Sequence, residues 1–224
     1  MKLLLFDIDG TLIDTGGSGM HSLKEATKEI FGDYGPPLDL AGSTDSGILK
    51  NLYTHFGEPE SWKKTERFYD AYLQLLGQNL KSTAYPGVLL PAVRNLLEEL
   101  SSRPGEFALG LLTGNIAEGG WRKVRAYGVD HHFPVGAWGD DHWDRNKLGP
   151  IALQRASAHY GLKFTAEDTW IIGDTPKDIA CADAIGAKCL AVATGRFKAS
   201  ELQDATRALN DLTDTAAVVE ILSS

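Results

Sequence analysis

Five short apolar runs, each ending in a polar or glycine-rich turn, punctuate the chain: KLLLFDIDG at residues 2–10, FALGLLTGN (107–115), FPVGAWGD (133–140), TWIIGDT (169–175) and KCLAVATG (188–195). Apolar stretches of this length bounded by turn residues are the pattern of buried strands. Between most of them the spacing turns helical. A helix is expected over about residues 88–100, with Pro91 near its first turn and Val93, Leu96, Leu97 and Leu100 along one stripe. Others are expected over about 117–127, 148–160 and 176–185. This alternation predicts an α/β fold, a doubly wound parallel sheet with helices on both faces. Ligands bind at the carboxyl ends of the strands in such sheets. Three polar turns, DIDGT, TGN and GDTPKD, all fall at that edge.

Residues 15–85 break the rhythm with three helical patterns and no convincing strand. The first carries Met20, Leu23, Thr27 and Ile30; the second Ile48, Leu49, Leu52, Tyr53 and Phe56; the third Trp62, Phe68, Tyr69, Tyr72, Leu73 and Leu76. The division expected is therefore a core of residues 1–14 and 86–224 with a helical insert at 15–85. The joints are TGGSG (15–19) and STAYPG (82–87), whose glycines and proline suit connectors that turn or flex.

Composition narrows the partners. With 43% hydrophobic residues in 224, the chain has material for a packed core. A formal charge of −8 argues against nucleic acid or an anionic membrane as the main partner, since both reward clustered Lys and Arg. A small anionic substrate needs only one or two local cations. The two cysteines, Cys181 and Cys189, lack metal or disulfide-framework spacing and read as reduced, buried thiols. Asp7 cuts the N-terminal apolar run far below a secretory core, and no stretch approaches the ~20 apolar residues of a membrane span. A cytoplasmic protein is expected.

The turns carry the chemistry. In DIDGT, alternation about Ile8 sends Asp7 and Asp9 to the same side of the chain. At ~5 Å and an effective dielectric near 20, two such carboxylates repel by about 3 kcal/mol. Each turn alone has a plain explanation. DIDGT could be a solvated turn or a calcium loop, though it lacks the alternating donors and terminal Glu of the latter. Asp178, in the first turn after Pro176, could merely favour a helix dipole. Thr113 could be the polar end of a strand. Three such turns in order are harder to explain separately.

Together they make the chain resemble the haloacid dehalogenase superfamily, specifically its phosphoglycolate-phosphatase-like members with a Rossmann-like core and a helical cap after the first strand. DIDGTLIDT is similar to the family's first motif, the Thr of LLTGN to its second and GDTPKD to its acidic fourth. The resemblance implies a Mg²⁺-dependent phosphatase acting on a small phosphorylated metabolite. Asp7 would be the nucleophile that takes the phosphoryl group. Asp9 would protonate the leaving alcohol and later draw a proton from water. Asp7, the main-chain carbonyl of Asp9 and Asp174 would bind Mg²⁺, with Asp178 in support. Thr113, with the amides around Gly10, Gly114 and Asn115, would hold the phosphoryl oxygens.

One departure concerns the third motif, a basic residue before the 148–160 helix. Many relatives carry Lys-Pro there, whereas this chain reads DRNKLGPIAL, which leaves Arg145 and Lys147 as candidates. Arg145 is favoured because its turn lies nearer the sheet edge. In the insert, AGSTDSG (41–47) places Thr44 or Asp45 where a helix N-cap is expected, and the family's caps use such loops to touch substrate. The segment HHFPVGAWGDDHWDR (131–145) is rich in His and Asp but matches no standard zinc spacing. Two rival functions are a phosphoglucomutase-type transfer, for which no sugar-specific cap motif is evident, and a non-catalytic binder, which loss of Asp7, Asp9 or Asp174 would signal. Halide removal is disfavoured, since dehalogenases lack an acid–base Asp at the place of Asp9.

Overall fold

KLLLF forms a strand whose Leu3, Leu4, Leu5 and Phe6 are all fully buried, the continuous apolar run of a strand covered on both faces. The computed structural model describes residues 1–224. In chain order the elements begin β1 (Lys2–Phe6), β2 (Ile13–Asp14), α1 (Ser18–Phe31), α2 (Asp45–Phe56), α3 (Trp62–Asn79) and β3 (Val88–Leu89). They continue α4 (Val93–Ser101), β4 (Phe107–Leu112), α5 (Ala117–Ala126), β5 (Gly136–Ala137) and α6 (Leu148–Tyr160). The chain ends with β6 (Thr169–Gly173), α7 (Pro176–Ile185), β7 (Lys188–Val192), β8 (Arg207–Leu209) and α8 (Thr215–Ser223).

Six strands form one parallel sheet in the order β5-β4-β1-β6-β7-β8. Leu4 pairs with Leu109 on one side and Trp170 on the other, so β1 lies centrally between β4 and β6. Alternation along β1 splits the core. Leu4 and Phe6 join Leu96, Leu97 and Leu100 of α4 and Val218 and Leu222 of α8 on one face. Leu3 and Leu5 join Leu148 and Ala152 of α6 and Ile179 and Ala182 of α7 on the other. The chain fills the sheet outward from β1 through β4 to β5, then crosses back to β6. That reversal opens a crevice beside the carboxyl end of β1.

Helices α1, α2 and α3 bury a separate cluster that includes Leu23, Leu49, Leu52, Phe68, Tyr72 and Leu76. On either side of this segment, β2 and β3 pair antiparallel, Ile13 with Leu89 and Asp14 with Val88. The helix expected from residue 88 therefore starts only at Val93, because the chain is extended where β3 meets β2. Besides β2 and β3, two further elements were not expected: β8, a three-residue edge strand, and α8, whose Val218, Val219 and Leu222 cover the sheet. The run FPVGAWGD contributes only Gly136 and Ala137 as strand. Both cysteines are free and buried. No helix is long and apolar enough to cross a membrane.

Candidate active site

The site begins where β1 ends. Asp7 continues the ladder one residue further, its N–H donating to Ile172 O at 2.9 Å, and its side chain is buried. The chain then turns sharply at Gly10, whose φ of +80° suits glycine, and a Cβ there would overlap the carboxyl of Asp174. Asp174 arrives from the adjacent strand, β6. Pro176 next opens α7, capped by Thr175, whose N–H donates to Asp178 Oδ2 at 3.0 Å. Strand pairing thus brings Asp7 and Asp174 side by side, and the capping turn adds Asp178. One carboxylate oxygen from each of the three lies within 4.8 Å of the others.

Such a group is electrostatically incomplete. At that spacing each ionised pair repels by roughly 3 kcal/mol at an effective dielectric near 20. Burial pushes the Asp174 carboxyl up to about 8, with Asp178 and Asp7 adding repulsion. Burial also raises Asp7 to about 6, against the attraction of Arg145. The one cation among them is Arg145, in the short turn Arg145–Lys147 before α6. Its Nη2 lies 3.2 Å from Asp7 Oδ2 and also pairs with Asp178. Burial opposes the guanidinium charge, but Asp178 and Asp7 more than offset it and hold Arg145 protonated. Asp178 already accepts from Arg145 and from the N–H and hydroxyl of Thr175, so its oxygens are engaged. Lys147, the other candidate, is exposed and lines no part of the cavity.

A second cluster follows β4. Thr113 is fully buried, and its Oγ1 accepts from Asn115 Nδ2 at 2.8 Å. The same Asn115 amide nitrogen lies 2.8 Å from Asp9 Oδ2. Lys123 of α5, only 4% exposed, completes the group. Its Nζ donates to both Asp9 oxygens at 2.8 and 2.7 Å and to Asn115 Oδ1 at 2.6 Å. Sequence reasoning missed Lys123. Its signal was available, since Gly119, Gly120, Lys123 and Val124 share the buried face of α5, where a lysine is out of place.

Residues 43–46 close over these loops. Thr44 caps α2, its Oγ1 accepting from Gly47 N at 3.0 Å and donating to Trp143 O at 2.6 Å. Asp45 donates its N–H to Gly114 O at 2.7 Å and accepts from Ile116 N at 2.9 Å. Burial raises the Asp45 carboxyl to about 6, with Lys123 opposing. A Cβ on Gly114 would overlap Ser43 O, so the approach depends on glycine there. The cleft between these loops measures about 490 Å³. Asp7, Asp9, Gly10, Asp45, Thr113, Gly114, Asn115, Arg145 and Asp174 line it, whereas Thr44 and Asp178 stand behind its wall.

Residues 4–192 match the sequence model of the family described as Haloacid dehalogenase-like hydrolase. The chain belongs to that family. Two curated relatives cover most of its length. A phosphoglycolate phosphatase of Chromobacterium violaceum is 26% identical over 90% of this chain and 89% of its own. The pyrophosphatase PpaX of Halalkalibacterium halodurans is 29% identical over 86% of this chain and 83% of its own. Among solved structures, a hydrolase from Pseudomonas syringae superposes with a TM-score of 0.74 at 21% identity, covering the whole of both chains. The fold is that of haloacid dehalogenase-like proteins, with three buried carboxylates at the edge of the parallel sheet.

Proposed function

We propose that the chain is a cytoplasmic, Mg²⁺-dependent phosphatase that hydrolyses a small phosphorylated metabolite through an aspartyl-phosphate intermediate on Asp7. The observation that carries this reading is the convergence of Asp7, Asp174 and Asp178, with Arg145 paired to Asp7 and Asp178 and with Asp9 in the same cavity. Three carboxylates against one guanidinium leave net negative charge where an anionic substrate must bind. The donor set is all hard oxygen, which fits Mg²⁺. The Asp7 and Asp174 carboxylates and the Asp9 main-chain carbonyl would hold the ion, and Asp178 would steady Arg145 and the α7 turn. Bound there, Mg²⁺ supplies positive charge that offsets the carboxylates and draws electron density from the phosphoryl oxygens.

The chain's own groups then divide the work. Arg145 fixes the Asp7 carboxylate and faces the phosphate as a second cation. A carboxylate oxygen of Asp7 attacks phosphorus as the ester bond breaks, and Asp9 gives a proton to the departing alkoxide. Asp9, again ionised, takes a proton from water as the water oxygen attacks phosphorus, the bond from phosphorus to the Asp7 oxygen breaks, and phosphate leaves. The Thr113 hydroxyl and the amides of Gly10, Gly114 and Asn115 hold the phosphoryl oxygens as charge builds on them. Lys123 and Asn115 set the direction of Asp9. Residues 15–85 act as a cap on a core of residues 1–14 and 86–224, excluding water when shut. Phosphate release from an aryl phosphate tests the reading. It is expected with Mg²⁺, and it should be abolished by a chelator and by Asp7→Asn; full activity in either condition contradicts it.

A further inference from the structure

Residues 15–85 supply about half of the residues that line the cavity, and their composition is informative. Met20, Leu23, Leu38, Leu40 and Ile48 supply an apolar wall, and Asp39 and Asp45 add negative charge. No Lys, Arg or His of that segment lines the cavity. The two buried cations that do, Arg145 and Lys123, are committed elsewhere. Arg145 is paired with Asp7 and Asp178. An ammonium has three N–H donors, and Lys123 directs its own at two Asp9 oxygens and Asn115 Oδ1. Arg196 stands at the rim with its side chain 75% exposed, 3.6 Å from Asp39. Tyr72 also lines the cavity, and its buried hydroxyl has no hydrogen-bond partner. It offers one neutral polar contact, kept un-ionised because burial and then Asp45 raise its pKa well above the ordinary phenol value.

We infer that the alcohol half of the substrate is uncharged and partly apolar, so that the enzyme cleaves phosphate monoesters of neutral alcohols in preference to phosphorylated carboxylic acids or pyrophosphate. A carboxylate or second phosphate on the leaving side would be stripped of water against leucine, isoleucine and methionine, beside Asp45, with no buried cation free to receive it. An alkyl group loses nothing by the same transfer, and a hydroxyl or ether oxygen can meet Tyr72. This rests on the phosphatase reading and narrows it to one class of leaving group.

The test compares isobutyl phosphate with phosphoglycolate, which has nearly the same shape but carries a carboxylate in place of the isopropyl group, and with inorganic pyrophosphate. The expected kcat/KM for isobutyl phosphate exceeds that for either anion by at least ~10-fold, the scale of an uncompensated buried charge. Met20→Lys, which places a cation on the apolar wall, should move the ratio toward phosphoglycolate by a similar factor. Binding of isobutyl phosphate and phosphoglycolate to Asp7→Asn with Mg²⁺, measured by calorimetry, should show the same order without turnover. Equal or better use and binding of phosphoglycolate would overturn the inference and leave the phosphatase standing. If no ester is cleaved, the phosphatase reading falls, and the calorimetric order alone decides whether the cavity prefers a neutral ligand.

Discussion

Arg145 and Lys147 lie two residues apart, yet only the first enters the cavity. In a turn of three residues per revolution, two positions apart point ~120° from each other, so one turn cannot aim both at Asp7. Arg145→Ala should lower kcat/KM by at least ~10²-fold and destabilise the protein by roughly 3 kcal/mol, since Asp7 and Asp178 lose their buried partner. Lys147→Ala should stay within about twofold of wild type, as an exposed charge with no site contact. Turnover and thermal melting of the two variants decide this, and the opposite order would restore Lys147. Lys123→Met should lower kcat by ~10-fold or more through the loss of Asp9 orientation, with a changed dependence on leaving-group acidity, since Asp9 acts on the alcohol. An unchanged leaving-group dependence would reduce Lys123 to a structural lysine. Asp7, Asp9, Thr113 and Asp174 were legible because they end apolar runs, where period-two patterning and turn chemistry mark both position and direction. Lys123 was not, because it reaches Asp9 across 114 positions of sequence and a helical lysine ordinarily faces solvent.

At the scale of elements, legibility followed length. The strands β1, β4, β6 and β7 run five or six residues and are buried throughout or nearly so, which makes their apolar runs plain. The pair β2 and β3 is two residues each, too short for any periodicity, and Val88 is 53% exposed. That pair ties the two joints together: Gly16, at φ +62°, is packed so tightly against Pro86 and Gly87 that a Cβ would strike their backbone. The contact between the α2 loop and the loop after β4 is equally close. Gly114→Ala should therefore hold the loop at residues 43–46 away from the site, lowering kcat/KM by at least ~10-fold because the near-attack arrangement loosens. The melting temperature should move little, since the clash lies between two loops and not in the core. Wild-type kcat/KM for this variant would show that closure of these loops contributes nothing to turnover.

For the whole molecule, the reversal of strand order beside β1 is what gathers residues 7, 113, 145 and 174 from four distant stretches of chain. Parallel strand–helix alternation made that edge foreseeable, while α8 and β8, which lie away from it, escaped notice because neither carries chemistry. The same gathering makes stability depend on pH and metal. Asp174 and Asp7 have folded-state pKa values raised to about 8 and about 6, so the folded metal-free protein binds protons the unfolded chain has released. Their contribution is full below the ordinary carboxylate range and is lost as pH rises toward 8. Mg²⁺ needs the ionised carboxylates, so the rise in melting temperature from chelator to Mg²⁺ should be larger near about pH 9 than near about pH 6. An increment that is constant or shrinks with pH would contradict the assignment of these groups to the metal. The central claim, covalent transfer to Asp7, is tested most directly by mass spectrometry of acid-quenched Asp9→Asn protein after mixing with Mg²⁺ and an aryl phosphate whose acidic phenol leaves without a proton from residue 9. Without its base for the water step, this variant is predicted to accumulate one phosphoryl group on the peptide containing Asp7. Release of phosphate with no phosphorylated protein at any quench time would contradict it.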